Sequence, residues 1–263
     1  MPDIDALFRA RIGWDARRPL LFDEIDALLR EVALSLPFEN LKLFDGEPEA
    51  ISERALLEKI AQRDEGGLCY ELNPLLYLFL RRNGLEASLL RATVFDENQQ
   101  DWLPLVGTHV AILLWHQEQG YLIDCGFGLK QAMRMVPLCG ETVESANGAY
   151  RVAWPGGAGF AQLERRLASD ERWQIAYGFD LDDEIADCRE LNRIQHCIAE
   201  DPRSPFNKSR LMALLTAEGS RVLTEETLTE TRNGKQCRLA LRPGEFEVFR
   251  RLFVRRFVPA AVL

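Results

Sequence analysis

Asp64-Glu65-Gly66-Gly67-Leu68-Cys69-Tyr70-Glu71-Leu72-Asn73-Pro74 is the stretch on which the reading of this 263-residue chain turns. Gly66-Gly67 permit a tight turn and close backbone approach just before the cysteine. Proline fits the first turn of a helix, where its missing N–H has no intrahelical partner, and is costly further in. Pro74 therefore predicts a helix starting near residues 71–73 and running to Arg82, with Asn83-Gly84 as a favourable left-handed stop. Cys69 then lies at or just before a helix N-terminus, where the macrodipole and free amides favour a thiolate. A buried structural cysteine beside a Gly-Gly loop is the competing reading, because inert thiols are common.

Upstream, the signals are helical. Residues 23–34 carry apolar side chains at helical spacing and end near Pro37, and Ser52 is a good N-cap for a helix with Ala55, Leu56 and Ile60 as its stripe. Downstream the texture changes. Residues 87–95, 109–115, 120–124 and 151–154 read as strands punctuated by glycine turns. Beyond about residue 190 the pattern is mixed, with strands expected from Arg210 and Arg221 and a last helix near residues 244–256. A four-residue hairpin loop centred on Gln117-Glu118 would pair Trp115 with Gly120 and Ala111 with Asp124. That register puts His109 on the same face as Asp124, within diagonal reach; a slip of one residue would separate them. Cys69, His109 and Asp124 then form a candidate nucleophile, proton partner and orienting carboxylate. Taken singly, a satisfied strand histidine and a turn-capping aspartate are equally ordinary. His116 is expected in the hairpin loop, exposed, and His196 lies in a polar, helix-like stretch without a nearby nucleophile.

Composition narrows the function classes. A net charge of −9 argues against broad affinity for nucleic acid. The Arg250-Arg251 and Arg255-Arg256 pairs are local exceptions, expected on a solvated face. No apolar run approaches the roughly 20 residues that span a bilayer, so a soluble, cytoplasmic protein is expected. The six cysteines lack a C-x-x-C pair, which argues against structural zinc and against a disulfide framework; most are expected to be buried.

With these pieces in place, the chain resembles the arylamine N-acetyltransferase family. The resemblance is carried by Arg11-Ile12-Gly13, Pro37-Phe38-Glu39-Asn40-Leu41, Gly66-Gly67-Leu68-Cys69-Tyr70-Glu71-Leu72-Asn73, Thr108-His109 and Asp124-Cys125-Gly126-Phe127-Gly128. Weaker similarity continues through Pro202-Arg203-Ser204-Pro205-Phe206. It implies an α+β architecture with a cysteine-protease-like core: a helical domain over residues 1–85 carrying Cys69, an antiparallel β-barrel-like domain over 86–190 carrying His109 and Asp124, and an α/β lid over 191–263. It further implies ping-pong transfer of an acetyl group from acetyl-CoA, a co-substrate and not a tightly bound cofactor, through Cys69 to an arylamine, N-hydroxyarylamine or hydrazine. By the same resemblance Phe38 and Phe127 help line the acceptor pocket, and Gly126 and Gly128 lie near the coenzyme; no metal, nucleic acid or membrane partner is implied. Two positions depart from the family pattern: Glu65, preceded by Asp64, stands where arginine is usual, and Cys125 where valine is usual. Carboxylates near a thiol disfavour its thiolate unless they point away or are paired.

Two other readings use the same residues. A thiol amide synthase, or a transglutaminase-like or peptidase-like hydrolase, would keep the triad and change the reaction. A non-catalytic binding module would leave Cys69 with ordinary thiol reactivity.

Overall fold

A computed structural model describes residues 3–15, 18–46, 48–157, 159–167 and 171–253. Its first part is helical: α1 (Ile4–Ile12), α2 (Ile25–Ser35), α3 (Glu53–Leu56) and α4 (Cys69–Arg82). Ser52 caps α3 as its sequence predicts, accepting the Ala55 amide at 3.1 Å. A π-helical turn, Leu57–Gln62, continues that helix. Helix α4 starts earlier than its proline suggests. Leu68 is the N-cap, Cys69 the first helical residue, and Pro74 lies in the second turn. The start is fixed by Glu71, whose carboxylate accepts the Leu68 amide at 3.0 Å and so satisfies a donor that Leu68 itself cannot cap. The predicted stop holds: Gly84 is left-handed at φ 81°.

Most of the middle of the chain is one antiparallel sheet. Its spatial order is Val136–Pro137, Gln119–Ile123, His109–His116, Glu86–Asp96, Gln174–Glu184, Phe160–Arg166, Gly148–Ala153 and Val143–Ser145, and Asp101–Trp102 pairs onto Glu86–Asp96. The ends approach each other and the sheet is barrel-like: Trp154 Nε1 donates to the Leu138 carbonyl at 2.8 Å. Strand His109–His116 is buried on both faces over most of its length. Val110, Ile112 and Leu114 enter the core shared with α1, α2 and α4, whereas Ala111 and Leu113 enter the barrel interior. A strand buried on both faces reads as a continuous apolar run, which is what its sequence shows. His109 belongs, by the period of two, to the barrel face.

The hairpin register is the expected one, Trp115 opposite Gly120, and runs to Ile112 opposite Ile123. The loop is tighter than expected. His116 pairs with Gln119, leaving only Gln117 and Glu118 in the turn, both at positive φ (49° and 64°). Such a turn matches the twist of the strands it joins. His116 is consequently the last strand residue, partly buried and stacked on Phe22 with centroids 3.9 Å apart. Asp124 falls one residue past the strand.

After α5 (Cys188–Glu200), a second sheet orders Phe38–Glu39, Leu211–Thr216, Gly219–Thr224, Thr227–Arg232 and Lys235–Ala240. Helix α6 (Glu245–Phe253) packs Phe246, Phe249 and Phe253 on it. Phe38 pairs with Ala213, so a segment from the helical start of the chain forms one edge of the C-terminal sheet. Asn40 fastens this junction, donating to the Phe206 and Ser209 carbonyls (2.7 and 2.8 Å) and accepting the Leu211 amide at 2.7 Å. Arg250 is tied to Asp45 at 2.8 Å while Arg251 is exposed; the Arg255-Arg256 pair lies outside the described residues. Among the described residues, no helix is long and apolar enough to cross a membrane.

Candidate active site

Cys69 opens α4 and lines a cavity of about 370 Å³. As the first residue of the helix it lies where the amide dipoles of α4 converge. Its backbone is held against the loop that follows Asp124. A Cβ built on Gly126 would lie 2.5 Å from the Cys69 Cα, so only glycine allows this approach. Gly128 is left-handed at φ 60° beside the Phe38 ring.

The sheet supplies the rest. His109 Nε2 lies 2.7 Å from Asp124 Oδ2, with both side chains 4% exposed. The Cys69 thiol donates to the Thr108 carbonyl at 3.7 Å; it is near enough to His109 to raise the imidazole, and with Nε2 turned to Asp124 the other ring nitrogen is Nδ1. Burial works against the imidazolium, but Asp124 and then Cys69 outweigh it, and His109 is pushed up to about 10. The ring is packed by Tyr177 at 4.7 Å and by Phe127 at 5.2 Å between centroids.

Asn73 is the residue that sequence reading passed over. It is fully buried, four positions after Cys69 and so one turn along the same helix face. Its Nδ2 donates to Asp124 Oδ1 (2.8 Å) and to the Val110 carbonyl (2.7 Å), while its Oδ1 accepts the Cys125 amide (2.9 Å) and the Cys125 thiol (3.3 Å). Asn73 thereby joins helix, strand and loop and leaves no polar capacity unused. Asp124 Oδ1 also accepts the Gly126 amide at 2.7 Å. The aspartate therefore caps a turn and orients the imidazole at once. Burial first, then Asp124, pushes the Cys125 thiol well up, so it stays protonated and packs.

Phe38, Phe127, Gly126 and Gly128 all line the cavity, together with apolar residues from the C-terminal sheet such as Leu211 and Ala213. Glu65 and Asp64 face elsewhere. Glu65 meets Arg63 at 3.1 Å and Lys42 at 3.6 Å, Asp64 meets Arg11 at 3.5 Å, and neither lines the cavity. Both carboxylates are thus paired away from the thiol. His196 is exposed on α5 and does not line this cavity. Of the other cysteines, Cys125 is buried and Cys197 partly so, but Cys139, Cys188 and Cys237 are exposed, against the expectation that most would be interior. Turn, helix-start and edge-strand positions leave those side chains little to pack against.

Comparison with known proteins agrees with this geometry. The N-acetyltransferase family model matches residues 22–257. An acetyltransferase of Bacillus subtilis is 34% identical over 243 residues, covering 90% of this chain and 92% of the relative. Among solved structures, arylamine N-acetyltransferase C from Bacillus anthracis is 33% identical with a TM-score of 0.88, covering 97% of this chain and 98% of that one. An arylamine N-acetyltransferase from Bacillus cereus, described as having a unique Cys-His-Glu catalytic triad, is 32% identical with a TM-score of 0.88, covering 98% of both chains. Here the carboxylate on the imidazole is an aspartate. On its fold, its cysteine-protease-like core and the match along almost its whole length, the chain belongs to the arylamine N-acetyltransferase family of acyltransferase enzymes.

Proposed function

We propose that the protein transfers an acetyl group from acetyl-CoA to an aromatic amine, an N-hydroxyarylamine or a hydrazine by a two-step exchange through Cys69. The observation that carries this reading is the thiol at a helix N-terminus beside an imidazole held by a buried carboxylate, both lining a small apolar cavity. In the first step the Cys69 Sγ attacks the thioester carbonyl. A bond from carbon to Sγ forms, the bond from carbon to the coenzyme sulfur breaks, and His109 returns the thiol proton to the departing coenzyme. In the second step the amine nitrogen attacks the Cys69 thioester, its proton passes to His109, and the thiolate is regenerated as the amide leaves. Thiol–thioester exchange is nearly balanced in energy, which suits a cysteine nucleophile. The amides of Cys69 and Tyr70, at the positive end of α4, are the donors we assign to the oxyanion.

Phe38 and Phe127 form walls for the acceptor ring, and the Gly126–Gly128 turn lies along the coenzyme path. The division of labour follows the chain: a helical unit over residues 1–85 supplies the nucleophile, a barrel unit over 86–190 the imidazole and carboxylate, and the remainder a lid. A cytoplasmic location fits such chemistry, where free thiols stay reduced. A cavity of this size favours a compact acceptor over an extended peptide. Steady-state kinetics with acetyl-CoA and an aniline should give parallel double-reciprocal lines; intersecting lines would argue for direct transfer without an acylated enzyme.

A further inference from the structure

Lys59 is a buried cation with no part in the steps above. It sits in the π-helical turn after α3, and its Nζ lies 2.6 Å from Glu71 Oε1 and 3.7 Å from Glu39 Oε1. Both carboxylates are buried, and each holds a backbone amide with its other oxygen: Glu71 that of Leu68 at 3.0 Å, Glu39 that of Leu41 at 2.6 Å. The strand of Glu39 and the turn before Cys69 are themselves bonded, Glu39 amide to Gly67 carbonyl at 3.0 Å and Gly67 amide to Pro37 carbonyl at 3.2 Å. A Cβ on Gly67 would come within 2.8 Å of Glu71 Oε2, so the turn rests directly on that carboxylate. Burial pushes Glu39 up, whereas for Lys59 the pull of Glu71 and Glu39 outweighs burial and raises it. The ammonium therefore stays charged between them.

Resting on the reading of Cys69 as nucleophile, we propose that Lys59 is a positioning residue for it: the ammonium clamps Glu39 to Glu71 across the Gly66-Gly67 turn and cancels the Glu71 charge two residues from the thiol. Among the described residues, the other charged or ionisable groups facing this cluster are Glu65, Glu49, Tyr70, Lys42 and Arg63, with Glu49 3.9 Å from Arg63. Glu65 has Arg63 and Lys42 as its own partners, so the acidic residue before Gly66-Gly67 leaves Lys59 to the buried pair. Removing the ammonium uncovers a negative charge beside the nucleophile, whereas neutralising Glu71 uncovers a positive one. A support that was only mechanical would give losses in both cases.

The test is alkylation of the full-length protein by iodoacetamide at pH 7, read at Cys69 by peptide mapping because three other cysteines are exposed. Lys59→Met is expected to slow Cys69 about fivefold per folded molecule, Lys59→Arg to stay within about twofold, and Glu71→Gln to speed it. Lys59→Met/Glu71→Gln should return close to the wild-type rate. Changes of the same sign in Lys59→Met and Glu71→Gln, or no change in either, overturn the proposal. If Lys59→Met does not fold, a Glu71→Gln rate at or below wild type overturns it equally well. Wild-type protein that acetyl-CoA leaves unmarked would count against acetyl transfer while leaving this comparison intact.

Discussion

In the proposed reaction His109 carries the proton, and its pairing with Asp124 also contributes to stability. Against an ordinary value of 6.5, its folded-state value of about 10 is raised, despite burial, by Asp124 and by Cys69. A raised value means that the folded protein holds the proton more tightly than the unfolded chain. The stabilisation is therefore fully present below pH 6.5 and is lost as pH climbs through about 10. Urea denaturation of the wild type should show a midpoint that falls across this window. His109→Gln, which keeps a polar side chain but no titrating imidazole, should show a shallower fall; equal slopes would place the ionised pair elsewhere. The residue scale was partly legible beforehand. Cys69, His109 and Asp124 stand in distinctive local contexts, and the period of a hairpin is enough to bring the last two together. Asn73 was not singled out, because its four hydrogen bonds run to strand residue Val110 and to loop residues Asp124 and Cys125, all of them distant in sequence.

At the scale of elements, the site depends on how closely the loop after Asp124 docks on the first turn of α4. Gly126→Ala puts a Cβ 2.5 Å from the Cys69 Cα and 2.8 Å from Asn73 Nδ2. A backbone atom cannot rotate aside, so the loop must move. The expected cost is about 1–3 kcal/mol of stability, as for overpacking elsewhere in cores. Because the shift falls on Cys69, the proposed acetyl transfer should drop at least about tenfold. Urea denaturation and turnover together check this; a variant as stable and active as the wild type would show that the docking is loose. Helix α4 was foreseen with the right consequence and the wrong start. Pro74 limits where a helix is comfortable, but Glu71 pays for two residues of earlier helix by capping Leu68. Strands Phe160–Arg166 and Gln174–Glu184 escaped notice because buried polar residues such as Gln162 and Arg165 blur their alternation. The hairpins of the C-terminal sheet were half read for a related reason. Thr227–Arg232 and Lys235–Ala240 are largely polar, and their pairing is set by neighbours and not by an apolar pattern.

For the whole molecule, the cavity matters more than any single element, since helices, barrel and C-terminal sheet each contribute part of its wall. Phe38 is the hinge of this arrangement: it borders the cavity, bridges to Gly67 and pairs with Ala213. Ala213→Trp should fill the acceptor side and raise the acceptor KM by about tenfold, while a reagent as small as iodoacetamide should still reach Cys69. A variant that blocks both would place the thiol deeper than the cavity implies. The most direct test of the account is the mark left on the protein by acetyl-CoA alone. Incubation without amine, followed by intact mass and peptide mapping, should show one acetyl group on Cys69, absent in Cys69→Ala and discharged when an aniline is added. A protein that stays unmarked, or carries its acetyl group on another residue, would contradict acyl transfer through Cys69.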